Sequence, residues 1–120
     1  MARISRIAPE VPVNDLRESI EYYERQLGFQ SVMELPDGEY AIVERDGIAV
    51  HLFYSGAAAH QPVGLHIFTE ELEDLYSELL ARGARITQQI TLKPWGNRDF
   101  RVKDRSGNEI KFTESRGDDE

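Results

Sequence analysis

The sequence predicts an α+β fold in which two tandem β-α-β-β-β modules form a concave mixed sheet. The main observation is a repeat, because Val13-Asn-Asp-Leu16 matches Thr69-Glu-Glu-Leu72 at an offset of 56 residues. A glycine follows each of the two helical patterns, Gly28 in the first half and Gly83 in the second. A module of this size cannot bury both faces of its strands alone. The two modules are therefore expected to pack on each other or on a second subunit.

Module one is predicted to span residues 4–54. Alternating residues over Ile4–Val13 predict a first strand, and Pro9 and Pro12 place it at a sheet edge because proline donates no ladder hydrogen bond. Asn14 or Asp15 is the expected N-cap of a helix with one apolar face. The predicted elements are a strand at 4–13, a helix ending near 27, and strands at 29–35, 39–44 and 48–54, with a tight turn at Asp46-Gly47.

Module two is predicted to span residues 63–114 and to repeat this order. A weakly structured linker is expected at 55–62, and an acidic, frayed tail at 115–120. The predicted elements are a strand at 63–68, a helix at 70–82, and strands at 84–91, 98–104 and 109–113. The whole chain, 1–120, is thus expected to be one domain with two modules.

Composition narrows the classes of function. The 120 residues include 14 Lys+Arg and 22 Asp+Glu, which gives a formal net charge of −8 and argues against nucleic-acid binding. The absence of cysteine excludes disulfides, thiolate metal sites and a cysteine nucleophile. No apolar run approaches the roughly 18 residues of a membrane span. We therefore expect a cytoplasmic protein without a nucleic-acid or membrane partner, and the acidic charge favours either solubility alone or a cationic ligand.

Three motifs carry a resemblance to a known family. They are Val13-Asn-Asp-Leu16, the segment Tyr22-Tyr23 followed by Leu27-Gly28-Phe29, and Asp104-Arg-Ser-Gly-Asn108. In a duplicated β-α-β-β-β chain these motifs resemble the vicinal oxygen chelate superfamily, which contains glyoxalase I, extradiol dioxygenases and bleomycin-resistance proteins. The segment from Pro94 to Phe100, with Trp95-Gly96 in it, is similar to a segment of the bleomycin-resistance branch. The resemblance covers about residues 6–114.

The resemblance also shows which positions of this sequence would have to carry metal ligands. Enzymes of the superfamily hold a divalent ion with histidine, glutamine and glutamate side chains from both modules. The matching positions here are Ala8, Gly64 and Lys111, which lack a usable ligand. No catalytic residue, metal or other cofactor is therefore expected. His51 and His66 could form a displaced two-histidine remnant, although half-buried strand positions explain both without a metal.

The candidate ligand-binding residues are mostly aromatic. Strand alternation places His51 with Phe53, and His66 with Phe68, on common faces. Flat side chains of this kind stack on planar rings or cover cationic groups. Trp95, between proline and glycine, is expected at a surface turn or cleft rim. The full candidate set is Trp95, His66, Phe68, Tyr40, Phe53, His51 and Arg98. Core packing is the alternative role for each aromatic residue.

Three functions remain open at this point. The resemblance implies first a metal-independent homodimer that sequesters a bleomycin-like cationic antibiotic in grooves formed by both subunits, with exchange of the N-terminal strand as an option. The second is a lyase or dioxygenase relative with a displaced metal site around His51 and His66. The third is a binding module for another small metabolite, because a fold does not fix a function.

Overall fold

The computed structural model of the chain describes residues 1–56 and 60–115. Residues 57–59 of the predicted linker and most of the predicted acidic tail therefore lie outside the described residues. The elements follow one another as β1(Glu10–Val13), α1(Leu16–Arg25), β2(Gln30–Glu34), β3(Tyr40–Arg45), β4(Ile48–Tyr54), β5(Gly64–Thr69), α2(Leu72–Ala81), β6(Arg85–Leu92), β7(Arg98–Lys103) and β8(Glu109–Glu114). The predicted order of two β-α-β-β-β modules is confirmed.

Each module forms its own four-stranded mixed sheet. The first sheet has the strand order β1-β4-β3-β2 and the second has the order β5-β8-β7-β6. The first strand of each module runs parallel to the last, and the remaining pairs are antiparallel. Helix α1 packs on the first sheet and α2 on the second. Neither helix, over the part of the chain described, has the length and apolar character to cross a membrane.

The first strand is shorter than the alternation predicts. Only Glu10–Val13 pairs with β4, in the register Glu10 to His51, and residues 1–9 form no regular structure. Proline at position 9 has no N–H to donate, and only its carbonyl oxygen takes part, accepting from His51 N at 3.0 Å. The edge position predicted from the prolines is confirmed. Ile4 and Ile7 remain 96% and 94% exposed, so this arm carries apolar side chains that the chain itself leaves uncovered.

The two helices begin differently. Asp15 is the N-cap of α1, and its carboxylate accepts from Glu18 N at 3.0 Å. The N-cap of α2 is Glu71, which adopts a left-handed conformation (φ 53°) and makes no side-chain capping bond. Helix α2 starts at Leu72, two residues later than predicted, since Glu70 and the left-handed Glu71 are not helical.

Buried polar contacts join the two modules. The Tyr23 hydroxyl donates to Asp104 Oδ2 at 2.8 Å, and Asn108 Nδ2 donates to the Pro12 carbonyl at 2.8 Å. Asp104 and Asn108 are 1% and 0% exposed. The apolar core also draws on both modules, with Tyr23 and Leu52 from the first and Leu79 and Phe100 from the second among its largest buried side chains.

A half-buried ion pair forms a second contact between the modules. Arg45, at the end of β3, donates from Nη1 and Nη2 to the two carboxylate oxygens of Glu78 on α2, at 2.9 and 2.7 Å. Gly28 lies beside it with φ 75°, and a Cβ added there would lie 2.5 Å from Arg45 Nη1. This glycine therefore serves both the left-handed turn after α1 and the close approach of the guanidinium.

The Glu78 pair gives a pH-dependent prediction. The hydrogen bonds from Arg45 hold the pKa of Glu78 below its ordinary value of 4.5, against the opposing effect of burial. Because the folded-state pKa is the lower one, the stabilisation is present above about pH 4.5 and is lost as the pH falls through the folded value. We expect Glu78→Gln to cost about 1 kcal/mol at pH 7, a figure reduced because the carboxylate side chain is partly exposed. Urea unfolding of both proteins from pH 7 to pH 3 should show the difference vanish at the acidic end. If Glu39→Gln, at an exposed turn position, lowered the free energy of unfolding by the same amount, the stabilisation could not be assigned to the Arg45–Glu78 pair.

Candidate functional site

The candidate site lies on the face of each sheet that points away from its helix, called here the open face. In strand β4, Val50 and Leu52 are buried against α1, so His51 and Phe53 occupy the open face of the first sheet. In strand β5, Leu65 and Ile67 pack on the core. His66 and Phe68 therefore occupy the open face of the second sheet. These assignments agree with the strand alternation read from the sequence.

On the first open face, three polar side chains form a chain of hydrogen bonds. The Tyr40 hydroxyl donates to Glu10 Oε2 at 2.8 Å and lies 2.7 Å from His51 Nδ1. Since a phenol has one proton, His51 is then protonated at Nδ1 and donates to Tyr40. Partial burial and then the bond to Glu10 raise the pKa of Tyr40. Phe53 lies directly across from Tyr40 in the β3–β4 register, so three predicted residues meet here.

On the second open face, His66 and Phe68 form an aromatic pair. Their ring centroids are 4.5 Å apart with an interplanar angle of 32°, and Phe68 is 45% exposed. His66 Nε2 lies 2.7 Å from Thr113 Oγ1, which holds the imidazole ring against the sheet. At this distance the two rings stack on each other, and the exposed Phe68 ring is the part of the pair available for stacking on a planar ligand.

The structure separates two predicted residues from these groups. Trp95 is 71% exposed in the turn between β6 and β7, in agreement with the expected surface turn. Arg98 shares the face of Phe100 and points to the helix side of the sheet, where it pairs with Glu114 and Glu73. The hydrogen bonds that Arg98 donates to Glu114 and Glu73 raise its pKa. Arg98 therefore does not join the open-face residues, because strand alternation, rather than closeness to Trp95 in sequence, sets its direction.

The positions that matched family metal ligands do not fit a metal. Ala8 and Gly64 have no donor atom, and the Lys111 ammonium has no free lone pair. His51 lies on the first sheet, where its ring contacts Tyr40, and His66 lies on the second, where its ring contacts Thr113 and Phe68. Within residues 1–56 and 60–115, no three His, Asp or Glu side chains converge as a metal-binding group.

A cleft opens where the β3–β4 hairpin of module one meets the end of β5 and the start of α2, and its volume is about 580 Å³. Its apolar lining includes Leu27, Phe29, Ile67, Phe68, Leu75 and Phe112. Within residues 1–56 and 60–115, its charged lining is Asp46, Glu70, Glu71, Asp74 and Glu78 against one cation, Arg45. Because Arg45 bonds to Glu78 and Asp46, the carboxylates of Glu70, Glu71 and Asp74 give the cleft an acidic rim.

Sequence reasoning missed this acidic rim and also a group of cations on the second open face. The rim residues belong to the junction between β5 and α2, and only the packing of the Asp46 hairpin against that junction creates a cleft. Arg101 and Lys111 are direct partners in the β7–β8 ladder and alternate with buried residues. Strand alternation could have found both of them, because it was the signal that placed His66 and Phe68.

Two tandem β-α-β-β-β modules, each with a four-stranded mixed sheet and one helix, define the class of α+β fold to which the chain belongs. The chain belongs to the Glyoxalase/Bleomycin resistance protein/Dioxygenase superfamily, whose sequence pattern matches residues 3–112. No curated protein shows significant similarity to the chain.

Solved structures show the same fold at low sequence identity. TioX from Micromonospora sp. ML1 superposes with a TM-score of 0.80 at 23% identity, covering 92% of this chain and 98% of TioX. A glyoxalase/bleomycin resistance protein/dioxygenase from Nocardioides has a TM-score of 0.76 at 21% identity, covering 95% and 85%. A lactoylglutathione lyase from Agrobacterium tumefaciens has a TM-score of 0.76 at 17% identity, covering 95% and 96%.

Proposed function

We propose that this protein is a metal-independent binding protein that sequesters a ring-containing cationic small molecule, of which bleomycin-type glycopeptide antibiotics are the leading class, and thereby confers resistance. The cleft between the modules is the observation that carries the proposal. It combines an apolar lining that includes Phe29 and Phe112, with Phe68 at the β5 edge, and an acidic rim. Such a cleft complements a ligand with planar rings and a positively charged tail.

The working form in this proposal is a homodimer. Two features support it: the open faces of both sheets carry half-buried or exposed aromatic side chains, and Ile4 and Ile7 of the N-terminal arm are almost fully exposed. A second copy could cover these groups, with the arm of one chain lying on the other. Sedimentation velocity should show twice the mass of one chain, and deletion of residues 1–8 should shift the protein towards monomer.

Binding itself is tested by isothermal titration calorimetry with metal-free bleomycin. We expect saturable binding at micromolar drug, weakened about 10- to 100-fold in Phe68→Ala because a stacked aromatic side chain is lost. The matched control is Leu92→Ala, which removes another exposed apolar side chain outside the cleft. Absence of measurable heat at micromolar drug, or equal affinities of the two variants, would contradict the proposal.

The charge of the rim and the role of Trp95 have separate readouts. Asp74→Asn should weaken bleomycin binding and reduce its salt dependence, whereas Asp37→Asn, in an exposed turn outside the cleft, should do neither.

Trp95 is the only tryptophan, so its fluorescence reports directly on the β6–β7 turn. Saturable quenching by bleomycin would include this turn in the binding groove, and calorimetric binding without quenching would restrict the ligand to the cleft.

A further inference from the structure

The second open face carries a row of polar side chains that crosses all four strands. His66 on β5 is the register partner of Lys111 on β8, Lys111 is the partner of Arg101 on β7, and Arg101 is the partner of Gln88 on β6. Partner residues lie on the same face of a sheet whose strands are about 4.8 Å apart. Two cations and an imidazole therefore stand side by side at the centre of this face.

The two cations are only partly compensated by the protein. Like charges directly opposite each other destabilise a strand pair. Glu109 accepts from Arg101 Nη1 at 3.2 Å, but the buried Arg101 Nε has no hydrogen-bond partner. Lys111 has no ion pair or side-chain hydrogen bond within the described residues. Two donors in adjacent strands are thus left without an acceptor, and a buried donor left in this way carries a free-energy cost.

The charges around the row keep this region positive although the whole chain is acidic. Among the described residues, the carboxylates that bond on this face are already engaged: Asp99 with Gln88 and Lys93, at 2.7 and 3.6 Å, and Glu109 with Arg101. Lys103 adds a further cation beside Glu109 in the β7–β8 register. Partial burial and then Lys111 lower the pKa of His66, with Arg101 acting in the same direction against Asp99.

We propose that this row is a binding site for an oxyanion carried on an aromatic ligand, with the Lys111 ammonium and the partly exposed Arg101 guanidinium as its donors and the His66–Phe68 pair as the platform for the ring. A carboxylate, sulfonate or phosphate would accept from both donors and remove the repulsion between the two cations. The site goes beyond the proposed function and shares only Phe68 with the acidic cleft. A ligand that used both regions would carry a cationic group at one end and an oxyanion at the other.

The test uses naphthalene probes that differ only in their polar group. We expect 2-naphthoate, 2-naphthalenesulfonate or 2-naphthyl phosphate to bind the full-length protein at least about tenfold more tightly than neutral 2-naphthamide, since a charge-assisted hydrogen bond is stronger than a neutral one. The rank order of the three anions identifies the oxyanion that fits. Equal affinity for the best anion and the amide would overturn the proposal.

Two variants and a control assign the donors. Lys111→Gln and Arg101→Gln should each lose most of the preference for the anion while binding 2-naphthamide as the wild type does. Arg17→Gln removes the same charge from module one and should leave the preference for the anion unchanged. Arg17 lies on α1 and pairs with Glu34 on β2, so neither residue belongs to the second sheet. Wild-type affinity for the anion in both Lys111→Gln and Arg101→Gln would overturn the assignment.

Nuclear magnetic resonance of the histidine ring gives a readout independent of affinity. Partial burial, then Lys111 and Arg101, depress the pKa of His66, so Lys111→Gln should raise that pKa without ligand, and bound 2-naphthoate, which brings an anion and also covers the ring, should shift it. An unchanged His66 pKa at saturating 2-naphthoate would contradict binding at this row.

Bleomycin affinity measured on Lys111→Gln separates the two proposals, since the acidic cleft does not contain Lys111. If the wild-type protein binds bleomycin but does not prefer the naphthalene anions, only this inference is overturned. If it prefers the anions but does not bind bleomycin, only the proposed function is overturned.

Discussion

Replacing Asp104 with alanine is expected to lower the free energy of unfolding by about 4 kcal/mol, because several buried donors lose their common acceptor. The carboxylate accepts from the Tyr23 hydroxyl, from Asn108 Nδ2, and from the backbone N–H groups of Ser106 and Asn108, at 2.8 to 2.9 Å. Asp104 is 1% exposed, so water does not replace these bonds without entering the core. Urea unfolding at pH 7, followed by circular dichroism, measures the change.

A graded set of variants distinguishes the shared acceptor from the loss of a single bond. Tyr23→Phe removes one donor and leaves Asp104 with its other partners, and it should cost about 1–2 kcal/mol. Asp37→Ala, in an exposed turn where the carboxylate accepts one backbone bond, should cost less than about 1 kcal/mol. If Asp104→Ala lowered the free energy of unfolding no more than Tyr23→Phe does, only one of the hydrogen bonds to Asp104 would contribute to stability.

The second large effect is expected at Phe100, whose replacement by alanine should cost about 3–5 kcal/mol through lost burial and the cavity left behind. Phe100 is 0% exposed, stacks on Phe112 at 5.1 Å and 26°, and meets Tyr76 of α2 edge-on at 5.0 Å and 74°. It connects the helix to the strands that carry the cationic row. Thermal and urea unfolding should both report the loss.

Phe68 is the matched control for Phe100, since it is the same residue type on the open side of the same sheet. We expect Phe68→Ala to cost less than about 1 kcal/mol of stability, because nearly half of its side chain is already in solvent. The two variants should therefore separate folding from ligand binding. If Phe68→Ala were as unstable as Phe100→Ala, the aromatic pair would be part of the core rather than a binding surface.

The sequence predicted the features of this fold that depend on local signals. The repeat of Val13-Asn-Asp-Leu16, the turn at Asp46-Gly47 and an N-cap at Asn14 or Asp15 depend on residues close together in the chain. The structure contains each of them, with Asp15 as the N-cap. Asp46 and Gly47 both have positive φ, as a two-residue hairpin turn requires. The shortened β1 was missed because alternation predicts an extended segment and does not predict whether a neighbouring strand is there to pair with it.

The candidate site was harder to predict because it depends on pairing between distant strands. Alternation correctly placed His66 and Phe68 on one face, but the net charge of −8 left open whether the acidic groups line a site. In the structure, acidic groups gather at the cleft near Glu70 and Asp74, while Arg101 and Lys111 lie together on the second open face. Total charge contains no information about register, and register decides which charges become neighbours.

The Asp104–Asn108 network has a consequence for the motions of the folded protein. Asn108 bonds to the Pro12 carbonyl in module one and accepts from Val63 N in module two, while Asp104 accepts from Tyr23 on α1. Repeat proteins whose units meet only through neighbouring surfaces can open one unit at a time. Here, opening either module would break bonds in the other, so the duplicated halves should exchange their slowest amide protons together, through a single global event.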